Sequence, residues 1–246
     1  VAAGAAQHGA TAQLATAAVD IFIVVVLLRL SPRGGVIYAL HPLPIMESAA
    51  SAHIDILALA FAAAGWLAWR RYRGLSALLA VAGGGVKLLP GVWLPAQLRT
   101  AADWVGALVG AALVALAAIP VLAAGPALLD GLTTYSSHWS FNGFVYPWLS
   151  PWLGQSTRVV LMAAGALAVV YAWFLPTPAR AALVIGTAFV LLSPTVHPWY
   201  ALWCLAPALA TERWWLALSA TCLIGSYAVL FTWVAATDSW AEQPWL

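Results

Sequence analysis

Long apolar runs alternate with short polar breaks along most of the chain. Crossing the ~30 Å hydrocarbon core of a bilayer takes about 20 apolar residues in an α-helix. Charged residues, prolines and glycines interrupt the runs, as at Ser31–Gly35 and Arg70–Gly74. The pattern predicts a long polar and aromatic loop over 123–157 and helices over 11–30, 36–50, 54–69, 75–86, 88–98, 104–122, 159–174, 181–192, 199–209 and 214–234.

The residue composition indicates a membrane protein. Hydrophobic residues make up 64% of the 246 positions and charged residues only 7%, whereas soluble domains carry about 25% charged residues. Because so few charges cannot cover a soluble surface, lipid must be the main solvent. We therefore predict one all-α, polytopic transmembrane domain over 1–246, with about 8 to 10 spanning or half-spanning helices surrounded by membrane lipids. The net charge of +2 gives no indication of a nucleic-acid partner.

The basic residues predict the orientation, because Lys and Arg are enriched in cytoplasmic loops. With the first residue outside, eight of the ten basic residues fall on the cytoplasmic side if 75–98 is a hairpin with Lys87 at its outer tip. The two exceptions are Lys87 and Arg158. One unbroken helix over 75–98 would invert everything after it. In the hairpin topology we expect any chemistry at the extracytoplasmic face of a plasma-membrane protein. The polar residues at or near that face are Glu47, His53, Asp55, Lys87, Asp130, His138, Asn142 and His197.

The densest polar group lies between Glu47 and Asp55. Ser51 can cap the helix that follows, and Asp55 in its first turn would face the positive end of the helix dipole. These structural roles leave Glu47 and His53 unexplained. Ionisable groups at membrane depth are costly and are functional candidates. Two carboxylates and an imidazole within nine residues could position a hydroxyl group and take its proton.

Two further ionisable residues lie inside predicted apolar runs. Asp20 falls in the middle of the first run, where we expect an interhelical hydrogen bond or a buried basic partner. Lys87 follows three glycines and precedes Pro90, so a break in the helix presents its ammonium group. Lys87 could bind a phosphate on a lipid carrier, or it could extend to the outer interface.

Aromatic residues surround two more candidate groups. The loop contains His138, Asn142 and Tyr146 among several Trp and Phe residues, which suits either a sugar ring or an interfacial helix. Further along, His197 lies between Pro194 and Pro198 and precedes Trp199 and Tyr200 at a predicted helix end. The prolines restrict the backbone and fix the direction of His197, which suits a functional role. The alternative is a capped helix break with Trp199 and Tyr200 at the membrane interface.

Four segments in this order resemble the GT-C glycosyltransferases, specifically the polyprenol-phosphate-mannose-dependent mannosyltransferases of glycosyltransferase family 87. None of them is decisive alone, and the last is the most distinctive. Together they extend from about Leu40 to Pro207, and they are Pro42 and Glu47 followed by His53 and Asp55, the run Val86–Pro90 after the glycines, Phe141–Gly143, and Ser193–Tyr200.

The resemblance implies an inverting enzyme that moves a hexose from a polyprenyl-phosphate donor to an extracytoplasmic lipid or glycan acceptor. The family resemblance implies that the hexose is mannose. It implies no cofactor and no metal. A carboxylate would act as the base, and Lys87, with Arg158, would hold the phosphate leaving group. We therefore expect catalytic roles for Glu47, Asp55 and His197. The expected substrate-binding residues are His53, Lys87, His138, Asn142, Tyr146, Arg158, Trp199 and Tyr200.

The chain departs from the family pattern in one respect. The family places its catalytic Asp in the first extracytoplasmic loop, but no acidic residue precedes Asp20 here. We expect that a segment carrying that Asp precedes the chain. The alternatives are that Glu47 or Asp55 takes its role, or that the chain is inactive.

Two other functions also fit the pattern. A transporter or flippase of lipid-linked sugar would have broken helices and charges at midplane, although no internal repeat relates the two halves. A haem-bearing subunit could use His53 and His197 as axial ligands, but both lie at predicted helix ends and not inside the spans.

Overall fold

The computed structural model describes residues 2–122, 125, 130, 133, 140–222, 233–234 and 239–240. This part of the chain is mainly helical, with connecting turns and two short paired strands. The α-helices are α1 (Ala2–Leu30), α2 (Pro32–Leu40), α3 (Pro42–Pro44), α4 (Asp55–Ala68), α5 (Arg73–Val86), α6 (Leu89–Val92), α7 (Ala101–Leu122), α8 (Tyr146–Leu153), α9 (Ser156–Trp173), α10 (Pro178–Leu192), α11 (Leu202–Ala210) and α12 (Trp214–Thr221). A π-helix covers Ile45–Ala50, 3₁₀ turns cover Leu94–Ala96 and Pro198–Ala201, and the strands are β1 (Trp233–Val234) and β2 (Ser239–Trp240).

Three described helices are long and apolar enough to cross a bilayer. They are α7 with 22 residues, α9 with 18 residues, and the 21-residue segment Ala10–Leu30 of α1. Large apolar side chains on their surfaces face outward, among them Ile21 in α1, Leu116 in α7 and Met162 in α9. Lipid is the solvent in which such a surface is stable. Three shorter apolar helices, α4, α5 and α10, pack among them.

The helices approach closely where glycine faces a neighbouring backbone. A Cβ on Gly186 in α10 would overlap the backbone of Trp203 in α11, and one on Gly106 in α7 would overlap Gly74 at the start of α5. Small residues at such contacts allow dense helix packing in membranes. As a result α11 is almost wholly buried, and α4 contributes Leu59 and its alanines to the same core.

Arginines gather at one end of the bundle, which we call the arginine end. Here α1 and α4 finish, and α5, α7 and α10 begin. The contacts that join these ends are the Arg73–Asp103 ion pair, the bonds from Arg99 to the carbonyl oxygens of Trp173 and Leu175, the Ser31–Glu212 hydrogen bond and a cavity lined by Arg29, Arg70 and Arg180. Asp55 and Lys87 lie at the opposite end, which we call the polar end.

The chain reverses at Lys87. After α5 ends at Val86, the following residues return toward the arginine end, where Ser76 Oγ donates to Gln97 Oε1 at 3.0 Å and Arg73 Nη2 donates to the Gln97 carbonyl at 3.2 Å. One unbroken helix over 75–98 is therefore wrong. The second half of the hairpin differs from the helix predicted over 88–98. Prolines divide this segment into α6 and a 3₁₀ turn.

Other predicted boundaries need correction. The helix predicted over 36–50 is divided at His41 and at the start of the π-helix, where prolines interrupt the hydrogen-bond ladder. The loop predicted over 123–157 contains α8 and the start of α9. The helix predicted over 214–234 ends, as α12, at Thr221, and β1 lies at its predicted end. Ser51 does not cap α4, whose N-cap residue is Ile54 without a side-chain bond.

The hydrogen bond expected for Asp20 is confirmed. Tyr38 Oη in α2 donates to Asp20 Oδ1 in α1 at 2.9 Å. The bond lies between two helices, so it satisfies a carboxyl group that would otherwise be costly in an apolar environment.

Candidate functional site

A partly buried ion pair lies at the centre of the polar end. Lys87 Nζ donates to Asp55 Oδ2 at 2.9 Å, and Trp203 Nε1 donates to Asp55 Oδ1 at 3.0 Å. Asp55 is only 2% exposed, whereas the Lys87 side chain is 35% exposed. Both carboxylate oxygens are therefore engaged, and Asp55 in this arrangement holds Lys87 in place.

The local backbone explains how these two residues meet. Asp55 begins α4, and Lys87 is the C-cap residue of α5, with an extended backbone at φ −147° and ψ 130°. Since α4 and α5 pack side by side in opposite directions, the start of one lies beside the end of the other. The extended conformation at Lys87 lets its side chain leave the α5 axis and reach Asp55.

A second acid–base pair consists of Glu47 and His53. His53 Nε2 lies 3.3 Å from Glu47 Oε2, and the side chains are 29% and 0% exposed. The chain turns tightly after the π-helix, through Ala52 at φ 55°, and the His53 amide donates to the Glu47 carbonyl at 3.0 Å. A partly exposed imidazole therefore lies against a fully buried carboxyl group.

Both histidines of the site stack on the same indole. The His53 and His197 rings lie 3.9 Å and 4.4 Å from the Trp199 ring, at interplanar angles of 24° and 2°. The Tyr200 ring contacts His197 edge-on at 5.4 Å and lies 5.5 Å from Lys87 Nζ. The ring cluster thus connects the two acid–base pairs, which lie far apart in sequence.

The Phe141–Gly143 segment packs against the segment that carries His197. The Phe141 amide donates to the Pro194 carbonyl at 3.0 Å, and the Val196 amide donates to the Phe141 carbonyl at 2.8 Å. Asn142 Nδ2 donates to the Val196 carbonyl at 3.4 Å. A Cβ on Gly143 would lie 2.9 Å from the Pro194 carbonyl oxygen, so glycine permits this close pairing.

Two neighbouring cavities adjoin the site. The first, of about 580 Å³, is lined by Lys87, Tyr200, Trp203 and residues of α5 and α6. The second, of about 360 Å³, is an apolar groove along α9 and α10 with Arg158 and Ser193 in its lining. Both are lined by Leu89, Val92 and Phe189, so the two cavities share a wall.

The electrostatic surroundings keep the site histidines neutral. Burial lowers the pKa of His53 and of His197 below the ordinary 6.5, and Lys87 acts in the same direction, while Asp55 opposes it. His53 contributes to the lowered pKa of His197. At neutral pH both imidazoles are therefore in the form that accepts a proton.

The structure brings together most of the residues singled out from the sequence. The central cluster is Glu47, His53, Asp55, Lys87, His197, Trp199 and Tyr200. Asn142 lies at its edge through the paired segments. Arg158 lies over the Tyr146 ring at 5.3 Å, beside the groove. His138 lies outside the described residues. Trp203 was not singled out, because a Trp in an apolar run gives no signal of its bond to a buried carboxylate.

No group of three or more His, Cys, Asp or Glu residues suitable for a metal ion occurs in the described part of the chain. No protein-family model, curated protein or solved structure matches the sequence.

Proposed function

We propose that this protein is a multi-pass membrane glycosyltransferase with a GT-C-like bundle. It transfers a hexose from a polyprenyl-phosphate carrier to a lipid or glycan acceptor on the extracytoplasmic side. Mannose is the hexose that we propose. One observation carries the proposal. A neutral, partly exposed imidazole backed by a buried carboxylate lies near a fixed ammonium group at the polar end, beside a cavity that adjoins an apolar groove.

Lys87 and Arg158 bind the phosphate of the donor. An ammonium group has three N–H donors, and Asp55 accepts one of them. The others are available to phosphate oxygens as negative charge develops on the leaving group. The apolar groove beside Arg158 fits the first isoprenoid units of the carrier.

His53 accepts the proton of the acceptor hydroxyl. The hydroxyl oxygen attacks the anomeric carbon, the bond from that carbon to the phosphate oxygen breaks, and the phosphate leaves with the bonding electrons. Glu47 stabilises the imidazolium that forms, because its carboxylate lies 3.3 Å from His53 Nε2. This division of roles follows from burial, since Glu47 is enclosed and Asp55 is engaged by two donors.

The aromatic residues hold the sugar. Trp199 and Tyr200 present ring faces and edges beside His197, and a hexose has apolar faces and hydroxyl edges that match such a surface. His197 contacts the donor or the acceptor near the anomeric carbon. Its fixed backbone, which precedes Pro198, holds the imidazole in one direction.

The test is an assay in proteoliposomes with a radiolabelled polyprenyl-phosphate mannose and a mixture of membrane-lipid acceptors. We expect labelled product and free polyprenyl phosphate, without a nucleotide sugar. Movement of intact donor between leaflets with no cleavage would instead indicate a flippase and would overturn the proposal.

A further inference from the structure

A separate cavity of about 550 Å³ lies at the arginine end. The ends of α1, α4 and α11 surround it, together with the turn that leads into α10. Arg29, Arg70 and Arg180 line it, and each is exposed. The glycosyl-transfer site occupies the other end of the bundle and shares none of these residues.

Three arginines give the lining of this cavity a positive charge. Its lining among the described residues includes no Asp or Glu. Nearby, Arg73 pairs with Asp103, and both Arg73 and Arg99 donate to backbone carbonyl groups. Within the described part of the chain, the three lining guanidinium groups make no ion pair and no hydrogen bond of this kind. The N-terminus of α10 adds a partial positive charge from its backbone N–H groups, and no acidic residue in its first turn offsets that charge.

The rest of the lining is apolar and aromatic. Trp66, Trp69, Leu30 and Leu67 form much of the wall. Arg29 lies in the last turn of a helix long enough to cross a bilayer, and therefore at the depth of the lipid headgroups. An occupant that satisfies both halves of the lining carries an anionic group and an apolar portion.

We propose that this cavity binds the phosphate group of an anionic phospholipid. Guanidinium groups bind phosphate oxygens through paired N–H donors, and three of them around one cavity repel each other until an anion is shared. The apolar wall contacts the glycerol backbone and the first acyl carbons. The site does not depend on the glycosyl-transfer proposal.

Isothermal titration of short-chain phosphatidylglycerol into the detergent-purified protein tests this site. The variant R29Q/R70Q/R180Q removes the lining charges, and R33Q/R71Q/R213Q removes three exposed arginines of the same end that do not line the cavity. We expect saturable binding to the wild type. The dissociation constant should rise about 100-fold in the first variant, at about fivefold per arginine, and less than about fivefold in the second. Equal weakening in both variants would show diffuse surface attraction and would overturn the cavity assignment.

Two further binding measurements distinguish a phospholipid from free phosphate as the ligand. Ala179→Phe places a ring in the cavity without changing charge, and we expect it to weaken phosphatidylglycerol binding. Inorganic phosphate should compete only weakly, because it lacks the apolar portion. Competition by inorganic phosphate as strong as that of the lipid, or unchanged binding in Ala179→Phe, would overturn the assignment to a lipid.

Discussion

Asp55 and Lys87 form an ion pair of 2.9 Å between the first turn of α4 and the C-cap of α5. The pair joins the start of α4 to the end of α5, and it fixes an ammonium group at the edge of a cavity. The stability of the fold and the proposed phosphate binding therefore depend on the same contact.

We expect Lys87→Met to destabilise the protein more than the double variant Asp55→Asn/Lys87→Met. The single change leaves a buried carboxylate without its cation, which costs about 3–5 kcal/mol in fully buried pairs and less here, because Lys87 is 35% exposed. Thermal unfolding in detergent measures the order of stabilities. A single variant as stable as the double variant would show that the pair contributes little to folding.

Trp203→Phe should cost more than Trp93→Phe. Both indoles are buried, at 2% and 1% exposure, and their rings lie 6.2 Å apart. The Trp203 N–H donates to Asp55, whereas the Trp93 N–H has no acceptor among the described residues. A lost hydrogen bond to a charged group adds about 1.5–3 kcal/mol to the shared loss of packing. Equal losses of unfolding free energy would contradict the bond.

Gly186→Ala should destabilise the contact between α10 and α11. The added Cβ would overlap the Trp203 backbone, and overpacking of this kind costs about 1–3 kcal/mol. Gly165→Ala is the control, because the nearest neighbouring atom to its Cβ would be 4.0 Å away. There the higher helix propensity of alanine favours the folded state. Comparison of the two melting temperatures tests the packing, and similar values would refute it.

His197 should make the protein less stable as the pH falls. Because burial, Lys87 and His53 lower its pKa below 6.5, the unfolded chain binds a proton first. This group therefore contributes no pH dependence well above pH 6.5, and stability decreases as the pH falls through 6.5. Thermal unfolding of wild type and His197→Gln between about pH 5 and pH 8 measures the effect. We expect a shallower decrease in the variant, and parallel curves would contradict the assignment.

The sequence was sufficient to predict helical structure, apolar surfaces and the polar cluster, because each depends on residue type and spacing. A Lys after three glycines and before Pro90 indicates a break whatever the neighbours are. The direction of the hairpin could not be decided in this way, because it depends on packing against α4 and α7. Prolines also divide the predicted helix over 36–50 into pieces whose limits depend on tertiary contacts.

The roles within the site depended on contacts that sequence patterns do not contain. From the sequence we expected catalytic roles for Glu47 and Asp55 and a substrate-binding role for His53. Burial distinguishes them, because Glu47 is enclosed behind His53 and Asp55 is engaged by Lys87 and by the indole of Trp203. The Trp203 bond spans 148 residues, so no local signal could have identified it.

Sugar transfer from polyprenyl-phosphate mannose by wild type, His53→Ala and Arg213→Gln tests the central proposal most directly. Arg213 is an exposed residue of the arginine end and serves as the control. We expect wild type and Arg213→Gln to transfer at similar rates. His53→Ala should lose about 100-fold or more, as expected for removal of a general base, while it keeps its folded state by circular dichroism. Transfer at the wild-type rate by folded His53→Ala would contradict the proposed site.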